Sequence, residues 1–218
     1  MSFAEESVIY AIEKARIVPV VAIDHAEDAV ALCGALKVGG LEVVEITFRT
    51  EAAAESIRAI IEAYPDFIVG AGTVTRLNEL EQAFEAGASF AVAPGTNPVI
   101  LAQANVYRLP FYPGVCTPSD IEIAMEHDMN FLKFYPAEAS GGLKMLSALY
   151  GPYAHREIRF MPTGGISPKN LKAYLKHPAV SAVGGTWMVP KKLIEKQDWS
   201  AIEILTREAV AIADEASK

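Results

Sequence analysis

Lys133 sits in the middle of a β-prone apolar run, Asn130-Phe131-Leu132-Lys133-Phe134-Tyr135-Pro136, where an ammonium ion is costly and a neutral amine is useful. Alternation along a strand sets Phe131, Lys133 and Tyr135 on one face and Leu132 and Phe134 on the other. At a sheet edge such a lysine would snorkel to water. On the inner face of a closed barrel it has no easy route out, and burial favours its uncharged form. An uncharged lysine can attack a ketone and form a Schiff base. A second run, Val43-Val44-Glu45-Ile46-Thr47-Phe48-Arg49, places Glu45, Thr47 and Arg49 on one face and Val44, Ile46 and Phe48 on the other. Glu45 with Arg49 reads either as a structural ion pair or as a proton shuttle beside a guanidinium that clamps a carboxylate through two parallel hydrogen bonds.

Glycines mark the remaining candidate positions. Gly70-Ala71-Gly72-Thr73-Val74 and Ala93-Pro94-Gly95-Thr96 read as strand ends that turn tightly, with Thr73 as a hydroxyl donor to a substrate carboxylate. Later come Pro162-Thr163-Gly164-Gly165-Ile166-Ser167-Pro168 and Val183-Gly184-Gly185-Thr186-Trp187. Paired glycines that expose backbone N–H groups near helix starts suit an anion, and the ends of strands seven and eight are where barrels often hold phosphate. The plainer alternative is two glycine-rich turns.

These residues need strands to present them. Apolar, β-branched stretches at 17–23, 42–47, 67–71, 89–93, 108–112, 130–135, 158–163 and 179–184 predict eight strands. Helical spacing or good helix formers occupy 27–38, 51–63, 76–86, 97–104, 118–127, 143–149 and 168–175. Thr75, Thr96 and Thr117 are expected to cap helix starts, and Gly39, Gly40 and Gly87 to follow helix ends. Strict β/α alternation implies parallel strands, and eight units point to a (β/α)8 barrel of the TIM type rather than an open doubly wound sheet. The first strand runs into Asp24-His25-Ala26 instead of a Gly-x-Gly-x-x-Gly, which removes the main support for dinucleotide binding. The segments 3–15 and 201–216 read as extra N- and C-terminal amphipathic helices that close the barrel ends. A chain of 218 residues is expected to form this barrel as one domain, 1–218.

Composition narrows the classes further. A net charge of −8 argues against nucleic acid as a partner but leaves room for an anionic small molecule in a locally positive pocket. The apolar run at 17–23 is too short to span a bilayer, and Glu5 and Glu6 stand where a signal peptide would carry positive charge, so no membrane association is expected and the cytoplasm is the expected compartment. Cys33 and Cys116 form no Cys-x-x-Cys pair. His25, His127, His155 and His177 lack metal-ligand spacing, so no metal is expected, and with the dinucleotide fingerprint missing as well no other cofactor is expected.

In order from residue 18 to residue 189, Glu45-x-x-x-Arg49, Gly70-Ala71-Gly72-Thr73-Val74, Ala93-Pro94-Gly95, Pro113-Gly114-Val115, Lys133-Phe134-Tyr135-Pro136-Ala137-Glu138, Pro162-Thr163-Gly164-Gly165 and Gly184-Gly185-Thr186-Trp187 closely resemble the 2-keto-3-deoxy-6-phosphogluconate (KDPG) aldolase family, also described as 4-hydroxy-2-oxoglutarate aldolases. The resemblance implies a homotrimer of (β/α)8 barrels and a metal-free class I aldolase that cleaves a phosphorylated keto acid to pyruvate and an aldehyde. It implies Lys133 as the Schiff-base lysine and Glu45 as the general acid/base. Arg49 and Thr73 would hold the pyruvate carboxylate, with Pro94 and Tyr135 also at the substrate, and Thr163 would help set stereochemistry at the new alcohol. Gly164, Gly165, Gly185 and Thr186 would hold the phosphate. Tyr135 stands where the family often has phenylalanine, and Thr186 where it often has serine, which leaves the phosphogalactonate branch open. Rivals from other classes are a phosphosugar isomerase or epimerase, with Glu45 as base and Lys133 as electrostatic partner, and a non-enzymatic sugar-phosphate binding protein.

Overall fold

Both chemistry-bearing runs fold as strands whose two faces lie in two different apolar environments. In the computed structural model, which describes residues 3–216, Val44 and Ile46 point outward into the large core between sheet and helices, as do Leu132 and Phe134. Val43 and Phe131 point inward, into a second cluster with Val18, Phe90, Tyr112 and Met161. A strand buried on both faces needs parallel neighbours and helical cover, and the chain supplies both.

The strands are β1 (Ile17–Val21), β2 (Val43–Thr47), β3 (Ile68–Gly72), β4 (Phe90–Val92), β5 (Phe111–Tyr112), β6 (Gly114–Val115), β7 (Phe131–Phe134), β8 (Arg159–Phe160) and β9 (Val183–Gly185). The helices are α1 (Phe3–Ala15), α2 (Asp28–Val38), α3 (Ala53–Ala63), α4 (Leu77–Glu85), α5 (Pro98–Tyr107), α6 (Pro118–Glu126), α7 (Gly142–Tyr150), α8 (Leu171–Leu175), α9 (Lys191–Glu195) and α10 (Trp199–Ala216). One parallel sheet runs β5-β4-β3-β2-β1-β9 and another β6-β7-β8. They meet at both seams. β5 and β6 are two halves of one stave interrupted at Pro113, and the parallel bridges Phe160–Val180 and Thr163–Gly184 join β8 to the β9 stave. The result is the predicted eight-staved (β/α)8 barrel.

Several boundaries differ from expectation for local reasons. Arg108, expected to open a strand, is instead a left-handed helix C-cap with φ 55°. Proline lacks an N–H, yet the Pro113 carbonyl accepts from Lys133 N at 2.9 Å, so the fifth stave turns from β4 to β7 at that residue. The predicted strand 158–163 shortens to β8, but its ladder continues where Met161 N and Thr163 N donate to the Leu132 and Phe134 carbonyls at 2.8 and 3.0 Å. Thr117 caps α6 as expected, accepting from Asp120 N. Asn97 rather than Thr96 caps α5, because the Thr96 hydroxyl donates instead to the Gly114 carbonyl at 2.7 Å. Thr75 lies one residue before the cap position of α4, and its hydroxyl donates to Glu79.

The ends of the barrel are unlike. Val8, Ile9 and Ile12 of α1 belong to the inner cluster, and Glu13 accepts from Arg159 and Ser181 at the starts of the last staves. So α1 plugs the N-terminal mouth. Arg16 donates to the Leu175 and Ala213 carbonyls and ties α10 to the same end. The C-terminal mouth stays open. Cys33 is buried and Cys116 half-buried, both as free thiols, and burial pushes the Cys33 thiol well up.

Candidate active site

At the open mouth the apolar filling of the barrel gives way to polar side chains. Going up β2, inward-facing Val43 is followed by Glu45 and Thr47; going up β7, Phe131 is followed by Lys133. The two strands are not neighbours, and their side chains meet across the interior. Lys133 Nζ donates to Glu45 Oε1 at 3.0 Å and to Oε2 at 3.3 Å, with the lysine side chain 6% exposed and the carboxylate side chain fully buried. Two buried charges are tolerated when each neutralises the other, and removing either partner strands the other in a poor solvent. Glu45 therefore pairs with Lys133 and not with Arg49. The Tyr135 ring lies beside the amine, with Nζ 5.7 Å from its centroid.

Gly72 makes the position of Glu45 possible. A Cβ on Gly72 would fall 2.2 Å from Glu45 Oε1, so this glycine is required by close approach and not by the turn that follows it. Gly184 does the same for Thr163, whose Oγ1 would lie 2.2 Å from an added Cβ. We expect Gly72→Ala to leave a folded barrel but displace the carboxylate, lowering kcat on any substrate that needs Glu45 by roughly 10²-fold or more, the effect of misplacing a catalytic group by about an ångström. Steady-state kinetics with circular dichroism as the folding control test it, and an unchanged kcat would show that the carboxylate has room to move.

Around this pair a cavity of about 350 Å³ opens to the barrel mouth. All eleven candidate residues line it. Glu45 and Lys133 lie with Arg49, Thr73, Pro94, Tyr135 and Thr163, and Gly164, Gly165, Gly185 and Thr186 lie with them. Arg49 Nε donates to Thr47 Oγ1 at 3.0 Å, and Thr47 Oγ1 donates to the Val21 carbonyl at 2.9 Å. That relay fixes the root of the guanidinium at the cavity. Thr73 holds a positive φ of 60°, a strained conformation for a β-branched residue of the kind that clusters at functional sites. Gly164 and Gly165 carry φ of 102° and 81°, so the turn after Thr163 needs glycine at both places. Val20, Thr47, Gly184 and Ile166 also line the cavity. Thr47 and Gly184 lay within motifs visible in the sequence. Val20 and Ile166 were missed because an apolar side chain facing a ligand looks like one facing the core.

Chemically, the arrangement offers a buried amine in hydrogen bond with one carboxylate, a guanidinium within the same cavity, and two glycine turns on the β8 and β9 side. Arg49 and Lys133 are the cationic side chains lining the cavity, and at the glycine turns an anion would meet backbone N–H groups and the Thr186 hydroxyl. Among the described residues no group of three or more His, Cys, Asp or Glu side chains is placed to hold a metal ion, and no helix is long and apolar enough to cross a membrane.

The chain is similar to the Haemophilus influenzae 2-dehydro-3-deoxy-phosphogluconate aldolase, 45% identical over 212 residues that cover 97% of this chain and 99% of that one. It is 44% identical over 194 residues to the KHG/KDPG aldolase of Escherichia coli K12, covering 89% and 90% of the two chains. Among solved structures, the KDPG aldolase of Legionella pneumophila, with pyruvate captured as a covalent carbinolamine intermediate, superposes with a TM-score of 0.87 at 36% identity, over 92% of this chain and 96% of that one. The model of the KDPG and KHG aldolases matches residues 8–205, nearly the whole barrel together with the amine, the carboxylate and both glycine turns, and the chain belongs to that aldolase family.

Proposed function

We propose that this protein is a class I aldolase that cleaves 2-keto-3-deoxy-6-phosphogluconate to pyruvate and glyceraldehyde 3-phosphate, and also acts on 4-hydroxy-2-oxoglutarate. The observation that carries it is the buried Lys133–Glu45 pair, 3.0 Å apart, at the bottom of a cavity that could admit a small keto acid. Proton transfer along that hydrogen bond leaves a neutral amine, which attacks the C2 carbonyl. The protonated carboxyl group then gives its proton to the departing hydroxyl, water leaves, and an iminium forms between Nζ and C2. The iminium draws the C3–C4 electrons as Glu45, again an anion, takes the C4 hydroxyl proton. Aldehyde departs, and the enamine left behind is protonated at C3 by the same carboxyl group. Hydrolysis of the resulting imine frees pyruvate. One carboxylate serves every step because the steps follow one another.

The other candidates fall into place around that axis. Arg49 and Thr73 hold the C1 carboxylate, Pro94 and Tyr135 form the wall beside the pyruvyl group, and Thr163 bonds the hydroxyl that becomes the aldehyde oxygen. Gly164, Gly165, Gly185 and Thr186 receive the phosphate. Replacing Gly165 would add strain of its own, since its φ is 81° and an added Cβ would lie 2.6 Å from Glu138 Cβ. A substrate comparison is cleaner. The expected result is a kcat/KM for the phosphorylated sugar acid at least about 10²-fold above that for 2-keto-3-deoxygluconate, because the remote phosphate supplies binding energy to the transition state. Equal values for the two would remove phosphate from the proposal.

The chain acts as one domain, 1–218, in this proposal, with residues 1, 2, 217 and 218 outside the described part, and works in the cytoplasm as a homotrimer. Exposed Leu77 and Phe84 on α4 and Val99 and Val106 on α5 support self-association, with Phe84 stacked on Tyr107 at 4.7 Å between them. Adjacent apolar side chains on paired helices form the kind of patch that partner chains cover. Sedimentation should give a trimer for the native chain and smaller species for Val99→Glu with Val106→Glu. A native monomer would exclude the trimer, and a trimeric double variant would place the interface elsewhere.

A further inference from the structure

The glycine turn that follows β8 rests on a side chain that does not line the cavity. A Cβ on Gly165 would lie 2.6 Å from Glu138 Cβ and 2.7 Å from its Cγ, so the stem of Glu138 forms the floor beneath the turn. The backbone is locked to the same segment, because Ala137 N donates to the Thr163 carbonyl at 2.9 Å and Glu138 N to the Gly164 carbonyl at 3.0 Å. Glu138 follows Lys133 by five residues and leaves β7 through the tight turn that begins α7. Its carboxylate accepts a hydrogen bond from the Tyr174 hydroxyl, whose ring is buried in the outer core. Burial, and then Glu138 itself, push the Tyr174 phenol well up, so it remains a donor throughout the working pH range. Gly142 leaves space for this contact: a Cβ there would fall 3.0 Å from Glu138 Oε1 and 3.3 Å from the Tyr174 oxygen. The start of α8 grips the turn a second time, since Asn170 Nδ2 donates to the Gly165 carbonyl at 3.1 Å while Asn170 Oδ1 accepts from Ser167 N at 2.8 Å.

We infer that Glu138 and Tyr174 are positioning residues that hold the Gly164–Gly165 turn in its cavity-facing shape, so that recognition of the phosphorylated end of the substrate depends on them although neither lines the cavity. Two consecutive residues of positive φ define a shape that neighbouring backbone states compete with, and an anion held through backbone N–H groups is sensitive to small rotations of those groups. The pair also keeps a carboxylate on the α8 side of the turn. Freed from Tyr174, the Glu138 anion would be available to repel a phosphate bound at the turn. The inference rests on the aldolase reading above.

The test is steady-state cleavage of 2-keto-3-deoxy-6-phosphogluconate together with solvent exchange of the pyruvate methyl protons, which involves no phosphate. Tyr174→Phe, which keeps the ring and removes the hydroxyl, should raise KM for the phosphorylated substrate roughly tenfold, the scale of one lost charge-assisted hydrogen bond, with kcat and pyruvate exchange within about twofold of the native protein. Glu138→Ala should raise KM similarly, and the double variant should be no worse than either single variant, because the two act as one unit. Glu138 is an exposed residue, so Glu138→Ala carries the test should Tyr174→Phe not fold. An unchanged KM, additive effects in the double variant, or a parallel fall in pyruvate exchange would each overturn the brace. Absence of pyruvate exchange in the native protein would instead overturn the aldolase reading.

Discussion

Incubation with pyruvate and borohydride is expected to attach one N-carboxyethyl group per chain, and peptide mapping should place it on Lys133. Lys133→Met should abolish both the labelling and aldol cleavage, lowering cleavage by at least about 10⁴-fold, because no other group can form the iminium that draws the C3–C4 electrons. The specificity of labelling follows from the environment of the amine. Lys133 is 5% exposed and bonded to both oxygens of a fully buried carboxylate, so its proton has a place to go when the ketone arrives. Lys144 on α7 is exposed and does not line the cavity. Labelling of Lys144, or none at all, would remove the Schiff-base mechanism and restore the isomerase reading, in which Lys133 acts only by its charge.

Period two was the signal that made the centre of the site legible. Glu45 and Lys133 each stand two residues above an inward apolar residue, Val43 and Phe131, so the alternation that fills the lower barrel also aims the chemistry upward. What period two cannot supply is the partner. Within β2, Glu45 and Arg49 look like a pair, yet Glu45 reaches 88 residues along the chain to Lys133, because closure of the sheet brings the inner faces of distant staves together. The Gly72 residue was legible as a glycine but not for its reason, which lies in a contact with the neighbouring strand. Pro113 hid the second half of the fifth stave, since a residue without an N–H reads as a strand end, whereas here its carbonyl serves the β7 ladder and β6 continues beyond it. The short helix α9 and the 3₁₀ turn at Gly151–Arg156 offered too few residues to show a periodicity. The Glu138–Tyr174 contact was invisible for the same reason as Glu45–Lys133: it is a tertiary pairing between elements with no local pattern in common.

Glutamine at position 45 keeps the size and most of the hydrogen bonding of the native side chain but cannot carry the proton. In Glu45→Gln the amide oxygen still accepts from Lys133 Nζ, so the lysine is not left without a partner, and the variant should fold. Imine formation requires protons to move as the carbinolamine forms and loses water, but water at the open mouth can carry them slowly. Trapping at Lys133 should therefore be slower and still reach completion. Cleavage is more demanding, because the C4 hydroxyl proton must leave as the C3–C4 bond breaks, in a cavity whose Glu45 side chain is fully buried. Cleavage and exchange of the pyruvate methyl protons are expected to fall together by roughly 10²–10⁴-fold, the contribution of a positioned acid/base. They fall together because both pass through the enamine, whose C3 is protonated and deprotonated by the same group. A variant that trapped pyruvate fully and cleaved substrate at nearly the native rate would assign the proton to another group and leave Glu45 as no more than the buried counter-ion of Lys133. A variant that lost exchange alone, with cleavage intact, would mean that two different groups serve C3 and the C4 hydroxyl, since one carboxylate cannot fail at the first and succeed at the second.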